Sequence, residues 1–238
     1  MMELSTPQAR TRIKLCGFTR ESDVEAAVAV GVDAIGLVLY AKSPRAVSAQ
    51  RAAALARCLP PFVTPVLLFV NAQAEEIRAA CELIPQALLQ FHGDESASSC
   101  QALAAGRAYL RAARIPPGPA GADFDLVKYA LDYSQAQAIL LDAHVEGFGG
   151  GGKAFNWSLL PPSVNAHLVL SGGLNAANVG DGIALLRPRC KSLAVDVSSA
   201  VEADAPGGGT LKGVKDPKKI NQFVAAVRAA DQLLTGLN

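Results

Sequence analysis

The sequence lacks the features that mark several large classes of protein. Its 22 basic and 21 acidic side chains leave a net charge of +1, and the lysines and arginines are thinly scattered, which argues against nucleic acid, since that ligand needs a concentrated basic surface. No apolar run approaches the roughly 18–20 residues of a membrane-spanning helix, and the opening residues lack the apolar core of a signal peptide. We therefore expect a cytoplasmic protein that binds neither nucleic acid nor membrane.

The cysteines are also few and scattered. There are 5, an odd number, and no two of them form a Cys-x-x-Cys pair. This spacing argues against a disulfide framework and against a structural zinc site. Cys58, Cys81 and Cys100 lie in predicted helical stretches, where small buried thiols are common. Cys16 differs, because it lies where a short apolar strand gives way to a turn at Gly17. No metal and no cofactor is predicted.

What the chain does contain is a series of apolar segments of strand length, separated by helical or mixed stretches. Most are continuous rather than alternating, as expected of parallel strands that are covered on both faces. This pattern predicts an α/β fold, a single (β/α)8 barrel over residues 12–238, preceded by a flexible tail at residues 1–11. The predicted strands are Arg12–Cys16, Ala34–Tyr40, Pro65–Val70, Ala87–Phe91, Ala108–Ala112, Ala138–Asp142, His167–Leu170 and Leu193–Val197.

Amphipathic helices are predicted between these strands. The last of them begins with Asp216 as a cap and Pro217 at the first helical position. An open doubly wound sheet is the alternative fold, but the first strand is not followed by the Gly-x-Gly-x-x-Gly fingerprint of its dinucleotide-binding form. The predicted helices include Glu21–Val30, Ser48–Cys58, Ala74–Leu83, Ala176–Leu186 and Pro217–Leu234.

A barrel carries its functional side chains at the carboxyl ends of its strands. Cys16 and Asp142 end the first and sixth predicted strands, and a thiol and a carboxyl group there could supply a base and an acid. His92 ends the fourth, where a substrate hydrogen bond is favoured over a structural role. Arg45 follows the second and could bind a planar carboxylate, although surface arginines after a proline turn are common. The residues expected at this rim are Cys16, Tyr40, Asn71, His92, Asp142, Gly172 and Ser198.

Two further segments at this end of the barrel indicate anion binding and loop closure. Ser171-Gly172-Gly173-Leu174 follows strand seven and is expected to open a helix, and Asp196-Val197-Ser198-Ser199 ends strand eight. Adjacent glycines and a helix N-terminus suit a phosphate; the alternative is a tight turn followed by a serine cap. The run from Gly147 to Lys153 is interpreted as a mobile loop over the substrate rather than as a linker.

Seven short motifs occur in a fixed order along the chain. They are Lys14-Leu15-Cys16-Gly17 with Thr19, Gly36-Leu37-Val38 leading to Ser43-Pro44-Arg45, Phe69-Val70-Asn71, Gln90-Phe91-His92-Gly93-Asp94-Glu95, Leu140-Leu141-Asp142 with the glycine run and Phe155-Asn156-Trp157, Ser171-Gly172-Gly173-Leu174-Asn175, and Asp196-Val197-Ser198-Ser199. Each motif alone is a weak signal, but the ordered set, from Arg12 to about Arg228, closely resembles the phosphoribosylanthranilate isomerase family of tryptophan biosynthesis.

The resemblance implies an Amadori rearrangement of N-(5-phosphoribosyl)anthranilate to 1-(2-carboxyphenylamino)-1-deoxyribulose 5-phosphate, by a monomer or a homodimer. It implies that Cys16 is the general base and Asp142 the general acid, and that Arg45 binds the anthranilate carboxylate. Further residues are implied to hold the rest of the phosphosugar substrate. These are His92 and Asp196 at the sugar, and Gly172, Gly173, Ser198 and Ser199 at the phosphate.

The chain departs from the family pattern at three single positions and in one segment. Gly151, Asn156 and Ala200 replace the usual Ser or Thr, Asp and Gly, and the stretch from Ala205 to Asp216 is longer than the usual link. None of these changes removes the base, the acid or the phosphate site. We expect them to affect the loops after strands six and eight.

Three other functions are open to a barrel of this kind. A related isomerase of histidine biosynthesis uses two aspartates, and Cys16 in place of the first argues against it. Indoleglycerol-phosphate synthase uses lysine and glutamate at strand positions that have no match here, although Lys14 could point into the barrel and support the site. A non-catalytic phosphosugar-binding barrel would be expected to lack Cys16 or Asp142.

Overall fold

The computed structural model describes residues 10–116, 118–121, 123–143 and 156–236. The expected mobile loop from Gly147 to Lys153, the substitution at Gly151 and residues 1–9 of the predicted tail lie outside these ranges. Within them, eight parallel strands pair in sequence order and the first also pairs with the eighth, which closes the sheet. The predicted (β/α)8 barrel is therefore confirmed.

The strands match their predicted positions with shifts at some ends. Strands β7 and β8 each begin three residues earlier than predicted, and β5 continues beyond its predicted end at Ala112 to Ile115. The early parts of β7 and β8 contain polar residues that interrupt the apolar run, which is why the pattern missed them. The strands are β1 Arg12–Cys16, β2 Ala34–Val38, β3 Thr64–Phe69, β4 Leu88–Phe91, β5 Tyr109–Ile115, β6 Ala138–Ala143, β7 Val164–Leu170 and β8 Cys190–Val197.

Alternation along the strands separates the core from the barrel interior. On β1, Ile13 and Leu15 are completely buried in the cluster between strands and helices, whereas Lys14 and Cys16 take the other face. Successive side chains of a strand point to opposite faces, so this second face lines the barrel. The lower interior is filled by a separate apolar cluster that includes Val66, Leu110 and Leu140. The barrel is thus a packed support for a polar rim.

The helices pack outside the strands. Ser48 and Ser96 cap the second and fourth helices by accepting hydrogen bonds from backbone N–H groups, and Asp216 caps the last, as predicted. Among the described residues, no helix is long and apolar enough to span a membrane. The helices are α1 Glu21–Ala29, α2 Ala49–Ala56, α3 Ala74–Leu83, α4 Ala97–Ala104, α5 Leu126–Asp132, α6 Val179–Leu186 and α7 Pro217–Thr235.

A β-hairpin lies between the eighth strand and the last helix. Its strands, β9 Glu202–Asp204 and β10 Thr210–Lys215, pair antiparallel. The turn and β10 lie in the segment that is longer than the family pattern, and β9 directly precedes it. The turn is closed by the N–H of Ala205, which donates to the carbonyl of Gly209 at 3.0 Å. The sequence predicts only a link here, so the hairpin is an additional element of the fold.

Two expectations about boundaries are wrong. Thr11, assigned to the tail, is completely buried, and its backbone N–H and hydroxyl donate to the carboxylate of Asp231 in α7, at 2.9 and 2.6 Å. Thr11 therefore packs with the barrel and not with the predicted tail. Gly172 and Gly173 do not open a helix directly, because α6 begins only at Val179 after an intervening turn.

Candidate active site

The polar residues of the predicted rim come together at the carboxyl ends of the strands. Cys16 ends β1, Asp142 lies near the end of β6, and Asp196 lies near the end of β8, all nearly buried. In the closed strand order, β1 and β6 are separated by β7 and β8. The thiol and the carboxyl group therefore approach the barrel mouth from different sides.

The Cys16 thiol has room because the neighbouring strand carries a glycine. A Cβ atom at Gly36, on β2, would lie 2.5 Å from the Cys16 sulfur, closer than two such atoms can approach. Cys16 and Gly36 are register partners in the parallel pair of β1 and β2. Any larger residue at position 36 would displace the sulfur, so Gly36 defines the position of the thiol.

A buried ion pair lies directly below this thiol. The Lys14 ammonium donates to Asp196 Oδ1 at 2.9 Å, and the two residues are register partners on β1 and β8. Burial alone would lower the pKa of Lys14, but the charges of Asp196 and Cys16 outweigh it and raise that pKa. The sequence analysis allows Lys14 a supporting position inside the barrel, and the structure places it there.

The surroundings of Cys16 favour its protonated form. Burial raises the pKa of the Cys16 thiol above its ordinary value, and the negative charge of Asp196 acts in the same direction. Lys14 opposes this shift through its charge and a side-chain hydrogen bond, and Lys215 opposes it through its charge. The two lysines therefore stabilise the thiolate that a base at this position requires.

Asp142 is held by a chain of buried side chains. His92 Nε2 lies 3.0 Å from Asp142 Oδ2, and Gln90 Nε2 lies 2.9 Å from His92 Nδ1. With Gln90 as donor, His92 carries its proton on Nε2 and donates it to an ionised Asp142. A protonated Asp142 would instead donate to Nε2, and His92 Nδ1–H would need the Gln90 oxygen, which is buried and has no partner among the described residues. A rotation of the Gln90 side-chain amide therefore lets the Gln90–His92–Asp142 hydrogen bonds form with Asp142 either ionised or protonated.

Gly172 packs directly against the carboxyl group of Asp142. Gly172 has a φ of +75°, and a Cβ there would lie 2.6 Å from the backbone nitrogen of Ala143 and 2.9 Å from Asp142 Oδ1. Glycine is needed at this position for both its backbone angle and its close approach. The turn after β7 therefore also shapes the environment of Asp142.

The turns after β7 and β8 provide donors for an anion. Gly172 and Gly173 both have positive φ, and their N–H groups donate to no other residue in the described parts of the chain. Ser198 and Ser199 are partly exposed beside them. The Ser198 hydroxyl donates to the carbonyl oxygen of Cys16 at 2.9 Å. The predicted phosphate residues are thus on one rim, and Ser198 links that rim to the strand of the thiol.

Arg45 lies beside the turn that follows Cys16. It is nearly buried, and a Cβ at Gly17 would lie 2.4 Å from Arg45 Cδ, so the side chain crosses directly over Gly17. Its Nε and Nη2 atoms donate to the two carboxylate oxygens of Glu202, at 2.5 and 2.9 Å. Arg45 therefore reaches the rim as predicted, with one edge of its guanidinium group already paired.

Two charged residues of the hairpin belong to this site and have no role in the sequence analysis. Glu202 and Lys215 are essentially fully buried, and Lys215 Nζ donates to the carbonyl oxygen of Ser198 at 3.0 Å. Burial lowers the pKa of Lys215 to about 8, against the raising effects of Glu202 and Cys16. In the sequence, Glu202 and Lys215 are marked only as charged residues: Glu202 is the first residue of β9 and Lys215 is the last residue of β10.

Two other polar residues, His167 and Asn156, make local contacts away from these groups. His167 pairs with Ser192 through its Nδ1, 2.7 Å from the serine hydroxyl, near the start of β8 and away from the rim. Asn156 caps a single 3-10 turn, Trp157–Leu159, and accepts a hydrogen bond from the N–H of Ser158. Among the described residues, no group of three or more histidine, cysteine or acidic side chains is arranged to hold a metal ion.

The fold and the rim together define a (β/α)8-barrel protein with a thiol, a carboxyl group and a row of anion donors at the carboxyl end of the barrel. The family model for N-(5'-phosphoribosyl)anthranilate (PRA) isomerase matches residues 13–226 of this chain. The chain therefore belongs to the N-(5'-phosphoribosyl)anthranilate isomerase family.

Individual relatives agree with this assignment. The N-(5'-phosphoribosyl)anthranilate isomerase of Methylibium petroleiphilum is 60% identical over 222 residues, which cover 93% of this chain and 96% of the relative. The crystal structure of phosphoribosyl anthranilate isomerase from Thermotoga maritima is 36% identical with a TM-score of 0.77, over 92% of this chain and 99% of that one. A second crystal structure holds the isomerase in complex with reduced 1-(o-carboxyphenylamino)-1-deoxyribulose 5-phosphate, at 32% identity, a TM-score of 0.71 and the same coverage.

Proposed function

We propose that this isomerase converts N-(5-phosphoribosyl)anthranilate into 1-(2-carboxyphenylamino)-1-deoxyribulose 5-phosphate, with Cys16 as general base and Asp142 as general acid. The observation that carries the assignment of roles is the placement of these two groups at one barrel mouth, on strands separated by β7 and β8. The proposed phosphate donors lie in the turns that follow β7 and β8, between the two groups. A short phosphosugar held there would extend between the two groups.

The substrate is held at both ends in this proposal. The N–H groups of Gly172 and Gly173, the N–H of Ser198 and the hydroxyl of Ser199 bind the phosphate. Because the Ser198 hydroxyl donates to the carbonyl of Cys16, its backbone N–H is the better phosphate donor. At the other end, the free edge of the Arg45 guanidinium group binds the anthranilate carboxylate. Fixing both ends orients the sugar for proton transfer at its centre.

Asp142 acts first, by protonating the ring oxygen of the ribose. This breaks the bond between that oxygen and C1 and leaves an open-chain iminium. His92 lies within hydrogen-bond distance of Asp142 and accepts or donates as the carboxyl group changes its protonation state. The Gln90 amide follows by presenting its oxygen or its nitrogen to the other side of the imidazole ring. Asp196, beside Lys14, faces the sugar hydroxyl groups.

Cys16 then removes the proton from C2 as the thiolate. The electron pair of the C2–H bond forms the C1–C2 double bond of an enolamine, which tautomerises to the aminoketose. One proton enters at the ring oxygen and one leaves C2, so the reaction needs no oxidant and no reductant. The two lysine charges near the sulfur stabilise the thiolate that this step consumes.

Isomerase activity is measured directly by the loss of substrate fluorescence. Freshly prepared phosphoribosylanthranilate is added to the purified protein, and its fluorescence is expected to fall with turnover. A matched sample with the phosphoribosyl aminoaldose of histidine biosynthesis tests the related activity, which we expect to be absent because Cys16 replaces an aspartate. No turnover of phosphoribosylanthranilate by a folded protein would contradict the proposal.

A further inference from the structure

The hairpin after β8 carries a carboxylate at a position where burial is costly. Glu202 is completely buried, and an unpaired buried carboxylate would be strongly destabilising. Its oxygens are fully used. Oε1 accepts from Arg45 Nε at 2.5 Å and from the N–H of Gly213 at 2.9 Å, and Oε2 accepts from Arg45 Nη2 at 2.9 Å and from the Thr210 hydroxyl at 3.3 Å. Arg45 is the one partner that bonds to both oxygens of Glu202 among these contacts.

The charge of Glu202 is maintained by its surroundings. Burial alone would raise the pKa of Glu202, but the hydrogen bond from Arg45 and the nearby charge of Lys215 keep that pKa below its ordinary value. Lys215 Nζ lies 3.6 Å from Oε1 and comes from the facing strand of the same hairpin. The carboxylate therefore remains ionised at neutral pH and pairs with Arg45 as an anion.

The hairpin itself is fixed to the start of the barrel. The Thr19 hydroxyl donates to the carbonyl of Gly213 at 2.6 Å, and the N–H of Lys215 donates to Asp23 in α1 at 2.8 Å. Both contacts are to the segment that follows Cys16 on β1. Glu202 is therefore held in a fixed position relative to the thiol, and its two hydrogen bonds to Arg45 fix the guanidinium group as well.

Pairing with Glu202 determines which edge of Arg45 is left for a ligand. Arginine can bind one carboxylate through Nε and Nη2 and a second through Nη1 and Nη2. Glu202 uses the first of these edges. In the described parts of the chain, no residue accepts a hydrogen bond from Arg45 Nη1. The Nη1–Nη2 edge therefore keeps one nitrogen without a partner in that part of the chain.

We infer that Glu202 is a positioning residue of the substrate site, which fixes Arg45 so that its Nη1–Nη2 edge binds the carboxylate of the aryl amine. This inference rests on the proposed function and adds a residue to it. Glu202 does not touch the substrate; it acts through Arg45. Through this one buried residue the hairpin contributes to substrate binding.

The first test substitutes Glu202→Gln, which preserves size but exchanges one acceptor oxygen for an NH2 group that cannot accept from Arg45. Affinities for the reduced product analogue and for ribulose 5-phosphate, which has no aryl carboxylate, are measured by titration calorimetry. We expect the dissociation constant of the analogue to rise about tenfold to a hundredfold, as for a lost charge-assisted contact. That of ribulose 5-phosphate should change less than about twofold.

Lys212→Met is the matched control. Lys212 Nζ lies 3.5 Å from the same Glu202 carboxylate, but its side chain is 42% exposed, so this pair should contribute little. We expect unchanged affinity for both ligands in this variant. An equal loss of both ligands in Glu202→Gln would contradict the inference, because it would mean that the hairpin supports the whole rim.

Chemical rescue provides a second test that does not depend on how well Glu202→Gln folds. In Arg45→Ala, added methylguanidinium should restore turnover, since Glu202 remains to bind it in the vacated space. In Arg45→Ala combined with Glu202→Asp, which keeps the charge but moves it, rescue should fall at least fivefold, an order-of-magnitude expectation for lost bidentate pairing. Equal rescue in both variants would overturn the inference.

The proposed function and this inference fail in different ways. A wild-type protein that binds the analogue but does not isomerise the substrate would contradict the roles of Cys16 and Asp142 and leave the Glu202 measurement intact. A fully active wild-type enzyme whose Glu202→Gln variant binds the analogue normally would contradict only the inference.

Discussion

The sulfur of Cys16 and the Cα of Gly36 are so close that no side chain fits between them. A Cβ at position 36 would lie 2.5 Å from Sγ and 3.1 Å from the Cα of Cys16. The two residues are paired across β1 and β2, so neither strand can shift alone to relieve a clash. The position of the proposed base is therefore fixed by the absence of a side chain on the next strand.

Gly36→Ala should consequently inactivate the enzyme while leaving it folded. The added methyl group would push the thiol from its place, and a displacement of about 1 Å at a reacting group costs about 100-fold in rate. Gly180→Ala in α6 is the control, because its new methyl group would meet nothing closer than 3.8 Å. We expect kcat/KM to fall about 100-fold in the first variant and to stay unchanged in the second. Similar rates in both would mean that the thiol position is not critical.

Asp142→Asn should lower kcat far more than it raises KM. The amide keeps the shape and a hydrogen bond to His92 but cannot deliver a proton to the ring oxygen. A positioned acid contributes about 10²–10⁴-fold, and we expect a loss in that range in steady-state kinetics. An unchanged kcat with a raised KM would instead assign Asp142 to substrate binding and the acid role to another group.

The pH dependence of Cys16 should respond in opposite directions to changes in the ion pair below it. A base acts when deprotonated, and because burial and Asp196 raise the pKa of this thiol, kcat/KM should still rise with pH above neutrality. Lys14→Met removes a positive charge and should move this rise to higher pH. Asp196→Asn removes a negative charge and should move it to lower pH.

Alkylation of Cys16 by iodoacetamide, followed by peptide mass spectrometry over a pH series, measures the same thiolate without turnover. The raised pKa predicts slow alkylation at pH 7 that accelerates above the ordinary cysteine pKa of about 8.5. Shifts in the same direction for Lys14→Met and Asp196→Asn would show that charge at this ion pair does not control the thiol.

Inorganic phosphate should inhibit competitively by occupying the rim formed by the turns after β7 and β8. Ser199→Ala removes one donor from that rim and should raise the inhibition constant of phosphate several-fold, up to about tenfold. Ser192→Ala, near the other end of the same strand, is the control and should have no effect. Inhibition that is noncompetitive, or equally weakened by both substitutions, would place the phosphate elsewhere.

The sequence predicts the barrel and most of its rim because both follow from local patterns. Continuous apolar strands identify the sheet, and polar residues two apart, such as Lys14 and Cys16 or Gln90 and His92, identify the face that lines the interior. Ends of strands are harder to predict. β5 continues to Ile115, three residues beyond its predicted end at Ala112, because its backbone still pairs with β6 where Arg114 interrupts the apolar pattern.

The hairpin is not predictable from local pattern, because its partners are distant in sequence. Glu202 is 157 residues from Arg45, and nothing near either residue indicates the other. Its connecting glycines also resemble a simple linker. Asp142 and His92 are likewise 50 residues apart, and their hydrogen bond cannot be predicted before the strand order is known. Local sequence pattern therefore predicts which groups lie at the rim, whereas the contacts that orient them depend on the folded structure.

The most direct test of the central claim is the turnover of phosphoribosylanthranilate by Cys16→Ser, measured beside its affinity for the reduced product analogue. A serine hydroxyl is far too weak a base at neutral pH, so we predict a loss of at least about 100-fold in kcat. The dissociation constant of the analogue should stay within about twofold of the wild-type value, because Cys16 is not a binding residue. A variant that binds the analogue normally and retains more than about a tenth of the wild-type kcat would contradict the assignment of Cys16 as the base.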